Sequence, residues 1–504
     1  MPPINKRSSR NHRARSWWLE PFLFWAWIAL LMWMPIPLGS NRPWAWAILQ
    51  VGVFALVATW LLAWWRGAAQ APAPLRAARA YLLLLALWLL YEALYFVPLP
   101  PALLGWLSPE AARMHALAGG LAPDGVGTWN ALSVDPYAAS VSWLKSLAYA
   151  GAFFLTLAVV VSRDRARQFA YALVFGALGL SVYGVLMHLG AVTQVWFGMP
   201  IPHGLQASAT FANRNHFAGY LEMTLAIGIG LLIAGLRDTR AQTWKQFVRH
   251  LIEWMLSPKM RLRLMLCVLV IALVSTRSRM GNTAFFSSLM IAGVIGLALS
   301  RYAARGTVVL LVSLIAIDLF IVGSWFGVEK LAQRIEQTTV AKHIQPGGEE
   351  SFEQRSEPAK YGLNLVADYP AFGSGPGSWY VAFPRYRSGD IVPFFDEAHN
   401  DYVQFLAENG IIGMGLLAGI VVWSLVVALR AQYQRRDPLM RGLAFASIMG
   451  IIAILIHSSV DFNLQIPSNA MLFMVLLAFA WIALHLDRRP PRVNTELSAM
   501  RSLA

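Results

Sequence analysis

Three short stretches of this chain carry side chains able to hold an anion and move a proton. In Ser275-Thr276-Arg277-Ser278-Arg279-Met280-Gly281-Asn282, two guanidinium groups lie within three residues. A guanidinium stays charged at any physiological pH and grips phosphate oxygens in a two-pronged fork, so the pair suits anion binding. Two arginines snorkelling from a helical corner would read the same way. In Ala212-Asn213-Arg214-Asn215-His216-Phe217, another arginine stands between two amides ahead of an apolar run. The positive end of a helix dipole there favours anions, and Asn213, Asn215 and His216 suit phosphate or sugar hydroxyls as well as plain capping. In Asp396-Glu397-Ala398-His399-Asn400-Asp401, His399 stands at the expected start of a helix. Backbone N–H groups there oppose protonation, and a neutral imidazole can take a proton from a hydroxyl.

Other polar residues read more plainly. Gly373, Gly375 and Gly377 alternate without a strand before them or a dinucleotide-type helix after, so they predict turns. Glu92, His188, Glu222 and Asp318 are scattered singly within or near apolar runs, and Glu222, eight residues after Arg214, is placed to pair with an inserted arginine. His457 and Asp461, four apart, share a helical face and predict a mutual hydrogen bond rather than a metal site, for want of a third ligand nearby. The one cysteine, Cys267, excludes an internal disulfide framework and cysteine-based zinc or iron–sulfur sites. No metal and no cofactor is expected.

The elements that must position these groups follow from composition. Of 504 residues, 57% are hydrophobic and only 13% charged. Soluble proteins carry about 25% charged residues, so an ordinary cytosolic enzyme is excluded and an all-α polytopic membrane protein is indicated. The net charge of +15 would suggest nucleic acid in a soluble protein; here it reports topology, and no nucleic-acid partner is expected. About twelve transmembrane stretches are expected, near 17–35, 44–65, 78–97, 141–161, 168–189, 217–236, 263–276, 283–300, 308–327, 410–429, 443–460 and 469–486. The first is preceded by Lys6, Arg7, Arg10, Arg13 and Arg15 but lacks a small-residue cleavage pattern, so it reads as a retained span. Placing the basic tail in the cytoplasm puts most of the 41 lysines and arginines on that side and returns the C-terminus to it.

Three outward segments are then long: 98–140, 190–216 and 328–409. The last is inserted, between spans nine and ten, in what otherwise reads as a single domain over 1–504. Within it Arg355 to Asp368 predicts a helix with Tyr361 and Leu365 on one face, stopped by Pro370, and a second helix begins near His399 and enters span ten. All three candidate stretches fall on the same outer face.

Several motifs in order resemble the O-antigen ligase and O-antigen polymerase superfamily. They are Asn213-Arg214-Asn215-His216-Phe217-Ala218-Gly219-Tyr220-Leu221, the Ser278-Arg279-x-Gly281 corner, and His399-Asn400 followed by nine residues and then Gly410-x-x-Gly413. Asp368-Tyr369-Pro370-x-Phe372-Gly373-x-Gly375-x-Gly377 and the stretch His457 to Asn469 are similar too, so the resemblance covers about 200–480. Met280, where a small residue often follows the arginine, and the extra Arg277 depart from the pattern and leave open which arginine contacts phosphate.

The resemblance implies a glycosyltransferase of the bacterial inner membrane, active on the periplasmic face, with an undecaprenyl-diphosphate-linked glycan as donor. It implies a ligase acting on lipid A core, or a polymerase for O-antigen or exopolysaccharide extending a lipid-linked glycan, or a protein O-oligosaccharyltransferase. His399 would be the base and Arg214, Arg279 and Arg277 the diphosphate holders, with Asn213, Asn215, His216, Asn400, Arg355 and Asp461 supporting or touching glycan. Membrane lipid is a necessary partner. A transporter, the reading from another class, would favour paired repeats and charged groups at mid-membrane.

Overall fold

Helices begin where the sequence supplies caps. Asp135 accepts a hydrogen bond from the Ala138 N–H (3.0 Å), Ser162 from Arg165 (3.2 Å), Asn213 from Asn215 (2.8 Å), Ser278 from Gly281 (3.1 Å), Asn400 from Val403 (3.1 Å) and Asp437 from Leu439 (2.8 Å). Pro43, Pro136, Pro438 and Pro467 each open a helix at a position whose N–H would have no helical partner.

The computed structural model describes residues 6–121, 130–190, 206–235, 258–299, 312, 352–388 and 395–486, and no strand occurs among them. The main helices are α1 Lys6–Trp33, α2 Pro43–Trp65, α3 Arg79–Ala93, α4 Pro136–Val159, α5 Arg163–His188, α6 Arg214–Ala234, α7 Pro258–Ser275, α8 Arg279–Ala298, α9 Phe352–Asp368, α10 Asp401–Gln434, α11 Pro438–His457 and α12 Pro467–His485. Nine helices among the described residues are long and apolar enough to cross a membrane, and Trp18–Trp33 of α1 is a shorter apolar stretch. Lys259, Arg261 and Arg263 leave α7 only a short apolar run. The expected ninth stretch, 308–327, lies outside the described residues except for residue 312.

Two ends of the bundle are marked by side-chain contacts. At one, Arg163 of α5 pairs with Asp437 (3.3 Å), Arg165 with Glu20 (3.6 Å), and Arg435 donates to the Leu486 carbonyl (2.6 Å). At the other, Asn469 donates to the His216 carbonyl (2.9 Å) and the Ala207 N–H to the Ser275 carbonyl (3.1 Å). The core is α6, α11 and α12, which are mostly buried, whereas the apolar spans of α2 and α10 bury only about a quarter of their residues. α6 and α11 cross backbone to backbone: a Cβ on Gly230 would lie 2.2 Å from the Gly442 carbonyl oxygen, and the converse holds too.

The segment from α9 to residue 388 folds onto the start of α10. α9 spans the predicted 355–368 region and buries Leu365. The chain then turns through Gly373, Gly375 and Gly377, all at positive φ (73°, 109° and 74°). Ser374 and Gly375 donate to the carbonyls of Ala407 (2.9 Å) and Glu408 (2.8 Å). A Cβ on Gly373 would fall 2.3 Å from the Glu408 carbonyl carbon, so this clamp admits no side chain there. α10 breaks at Gly410 (φ 63°, ψ −175°), and Tyr91 from the end of α3 donates to the freed Asn409 carbonyl (2.6 Å).

Candidate active site

Both arginine stretches are built alike. Arg214 is the first residue of α6 behind the Asn213 cap, and Arg279 the first of α8 behind the Ser278 cap. A cation at a helix N-terminus opposes the helix dipole, at about 0.3–1 kcal/mol each. Folding gains nothing from that placement, but positive potential is concentrated at both starts. Thr276 holds the corner between α7 and α8, donating to the Leu273 carbonyl (2.6 Å) and accepting from the Ser278 N–H (3.1 Å). Arg277 takes a left-handed backbone there (φ 54°), and it and Arg279 are exposed while Arg214 is half-buried. The two starts touch: a Cβ on Gly281 would lie 2.6 Å from Ala218 Cβ and 3.2 Å from Glu222 Oε1, one and two turns along α6 from Arg214.

His399 stands two residues before α10, also left-handed (φ 51°), ahead of the Asn400 cap. Its backbone is locked to the loop between α11 and α12. Asn400 donates to the Ser459 carbonyl (2.7 Å), and Asp401 accepts from the Ser458 hydroxyl (2.7 Å) and the Leu464 N–H (3.1 Å). That loop presents Phe462 edge-on to both imidazoles, at 4.9 Å from His399 and 4.6 Å from His216.

Behind the ring runs a buried chain of charge. His216 Nε2 is 3.4 Å from Asp461 Oδ1, Asp461 Oδ2 is 3.9 Å from His457 Nε2, and His457 Nδ1 is 2.8 Å from Glu222 Oε1. Burial opposes ionisation of Asp461, but the His216 contact and the nearby charges of His457 and His399 outweigh it and hold the carboxyl below the usual range. Two expectations change here. The His457–Asp461 contact is too long for a hydrogen bond, and Glu222 bonds His457 rather than an arginine. Four successive apolar helix turns do not reveal which imidazole will face Glu222; that is set by the α6–α11 crossing.

The structure thus brings His399, Asn400, His216 and Asp461 together, and sets Asn213, Asn215 and Arg214 at the start of the helix that carries His216. Arg355 lies on α9, among residues whose side chains are not described. Phe462, Ser458 and the Glu222–His457 pair were not anticipated as site components; a phenyl ring in a polar connection reads as local packing, while buried Glu222 and His457 stood out as polar groups in apolar runs. Among the described residues no three His, Cys, Asp or Glu side chains are grouped as a metal ion would need.

Residues 264–418 match the family model described as O-antigen ligase. That match supports the O-antigen ligase superfamily. No curated protein matches it. The O-antigen ligase match takes in Arg277, Arg279, Arg355, His399 and Asn400, so the exposed arginine corner and the histidine lie within one recognised stretch. Arg214 and His216 precede it, and His457 and Asp461 follow. The match supports an O-antigen ligase-like membrane glycosyltransferase, and the buried partners of the candidate site come from α6 and from the α11–α12 loop.

Proposed function

We propose that the protein transfers a glycan from undecaprenyl diphosphate to lipid A core by a single inverting displacement. The observation that carries this reading is the meeting, at one end of the bundle, of His399 and the His216–Asp461 pair with two arginine-led helix starts, around an O-antigen ligase stretch. His399 takes the proton of the acceptor hydroxyl as its oxygen bonds to the sugar C1. The C1–oxygen bond to the diphosphate breaks with its electron pair going to the leaving phosphate oxygen. Arg214 and Arg279, with Arg277 in support, hold the charge that develops there. Asp461 steadies the resulting imidazolium by charge. The scheme draws its positive charge from arginines, so turnover in a chelator, without nucleotide, should be undiminished.

The site end is assigned to the periplasm and both termini to the cytoplasm of the inner membrane, in keeping with the arginines Arg163, Arg165 and Arg435 at the opposite end. The test is transfer in proteoliposomes from undecaprenyl-diphosphate glycan to purified lipid A core, with a lipid-linked glycan and an acceptor protein as alternatives. Release of undecaprenyl diphosphate with inverted product from wild type, lost in His399→Ala and Arg279→Ala, supports the scheme. Retained anomeric configuration by proton NMR rejects it, and transfer only to lipid-linked glycan would make the enzyme a polymerase.

A further inference from the structure

The left-handed turn at His399 is fastened on both sides. After it, Asn400 and Asp401 are bonded to the α11–α12 loop. Before it, the fully buried Ala398 donates its N–H to the side-chain oxygen of Gln404 (2.6 Å), one turn inside α10. A non-glycine residue keeps such a backbone only where its surroundings hold it, so the chain entering His399 must be fixed as firmly as the chain leaving it.

The neighbours of Gln404 allow its amide one orientation. Its Nε2 donates to Glu397 Oε2, and to Glu408 Oε1 at 3.1 Å, which leaves Oε1 for the Ala398 N–H. Turned over, the amide would set its oxygen against two carboxyl oxygens and its NH2 against an N–H. Glu408 is itself fixed, because Oε1 also accepts from the Trp379 N–H (3.1 Å) and its carbonyl from Gly375 (2.8 Å). Asp401, Gln404 and Glu408, three and four residues apart, lie on one face of α10. The first grips the α11–α12 loop, the second the chain entering His399 and the third the glycine turn at 373–377. The imidazole placed in this way stands edge-on to Phe395 (5.7 Å) and Phe462 (4.9 Å), so a shift of its backbone would break contacts on two segments.

We propose that Gln404 is a positioning residue for the transfer step: its amide, oriented by Glu397 and Glu408, fixes Ala398 so that the His399 imidazole stays on the acceptor hydroxyl. The proposal rests on His399 as the base. Gln404 acts through that imidazole rather than on substrate, so its loss should slow proton transfer and leave donor binding to the arginines unchanged.

The test is a double-mutant cycle on the full chain in proteoliposomes, with undecaprenyl-diphosphate glycan and purified lipid A core. Gln404→Met keeps the side-chain length and loses all three hydrogen bonds. It should lower kcat about tenfold with KM for the donor within about twofold of wild type. In His399→Gly, where added imidazole supplies the base, the same substitution should change the rescued rate less than about twofold. A glutamine that only supported the fold would lower that rate as well, so equal losses in both backgrounds overturn the proposal, as does an unchanged kcat in Gln404→Met. Hydrogen exchange read by mass spectrometry needs neither substrate nor base. In wild type the Ala398 amide should exchange at least about tenfold more slowly than an unstructured amide, and Gln404→Met should release it while the Asp401 amide stays protected. Exchange at the unstructured rate in wild type overturns the proposal even where the variant does not fold. Full activity in His399→Gly without imidazole would reject the base itself, an outcome told apart from the failure of Gln404 alone, in which His399→Gly is inactive but the two losses add.

Discussion

His399 and Arg277 share a backbone feature that separates their side-chain chemistry from their folding role. Both occupy the left-handed region (φ 51° and 54°), which costs a non-glycine residue about 1–2 kcal/mol. Glycine at either site therefore removes the side chain without backbone penalty. His399→Gly should lower kcat about 100- to 10,000-fold with Tm held or raised, and added imidazole should restore part of the rate. A purely structural histidine would show no such rescue. Arg277→Gly should cost less activity than Arg279→Ala, measured as kcat/KM for the lipid donor, because Arg279 leads α8 while Arg277 stands outside it.

Asp461 provides the pH signature. Its carboxyl is held below the usual range in the folded protein, so its stabilising contribution is full above its unfolded pKa of about 3.9 and is lost as pH falls through the lower folded value. Asp461→Asn should therefore lower Tm at pH 7 and decline less steeply than wild type below about pH 4, as read by scanning fluorimetry in nanodiscs.

Among the elements, the contact between α6 and α11 is the one on which the candidate site depends, since α6 carries His216 and Glu222 and α11 carries His457. Gly230→Ala would place a methyl 2.2 Å from the Gly442 carbonyl oxygen, forcing the helices apart. A loss of about 1–3 kcal/mol, with reduced transfer although the site is distant, is the expected result. Gly415→Ala is the control: nothing lies within 4 Å of a Cβ there, so helix propensity alone should leave Tm unchanged or raise it. Equal losses in both variants would remove the argument from close helix approach.

For the whole molecule, the sidedness of the bundle is the testable quantity. With Cys267 replaced by serine, Ser459→Cys and Gln70→Cys give single thiols at exposed positions, the first at the site end and the second in the connection after α2. A membrane-impermeant maleimide added to spheroplasts should label the first and spare the second until the membrane is permeabilised. The reverse pattern would place the site in the cytoplasm and remove the undecaprenyl-diphosphate donor scheme.

The all-α membrane class, a helix start at Arg214 and another near His399, the corner before Arg279 and the glycine turn at 373–377 were legible in the sequence. They rest on local rules: apolar run length, capping chemistry and turn residues act within a few positions of the chain. Other features were settled only by tertiary packing. Glu222 lies 235 positions from His457, and only the glycine crossing of α6 and α11 brings that carboxylate to that imidazole rather than to an arginine. The place of Phe462 between His399 and His216 likewise depends on which helix faces meet. A linear pattern shows that a group is polar within an apolar run, but its partner is decided by close packing in three dimensions.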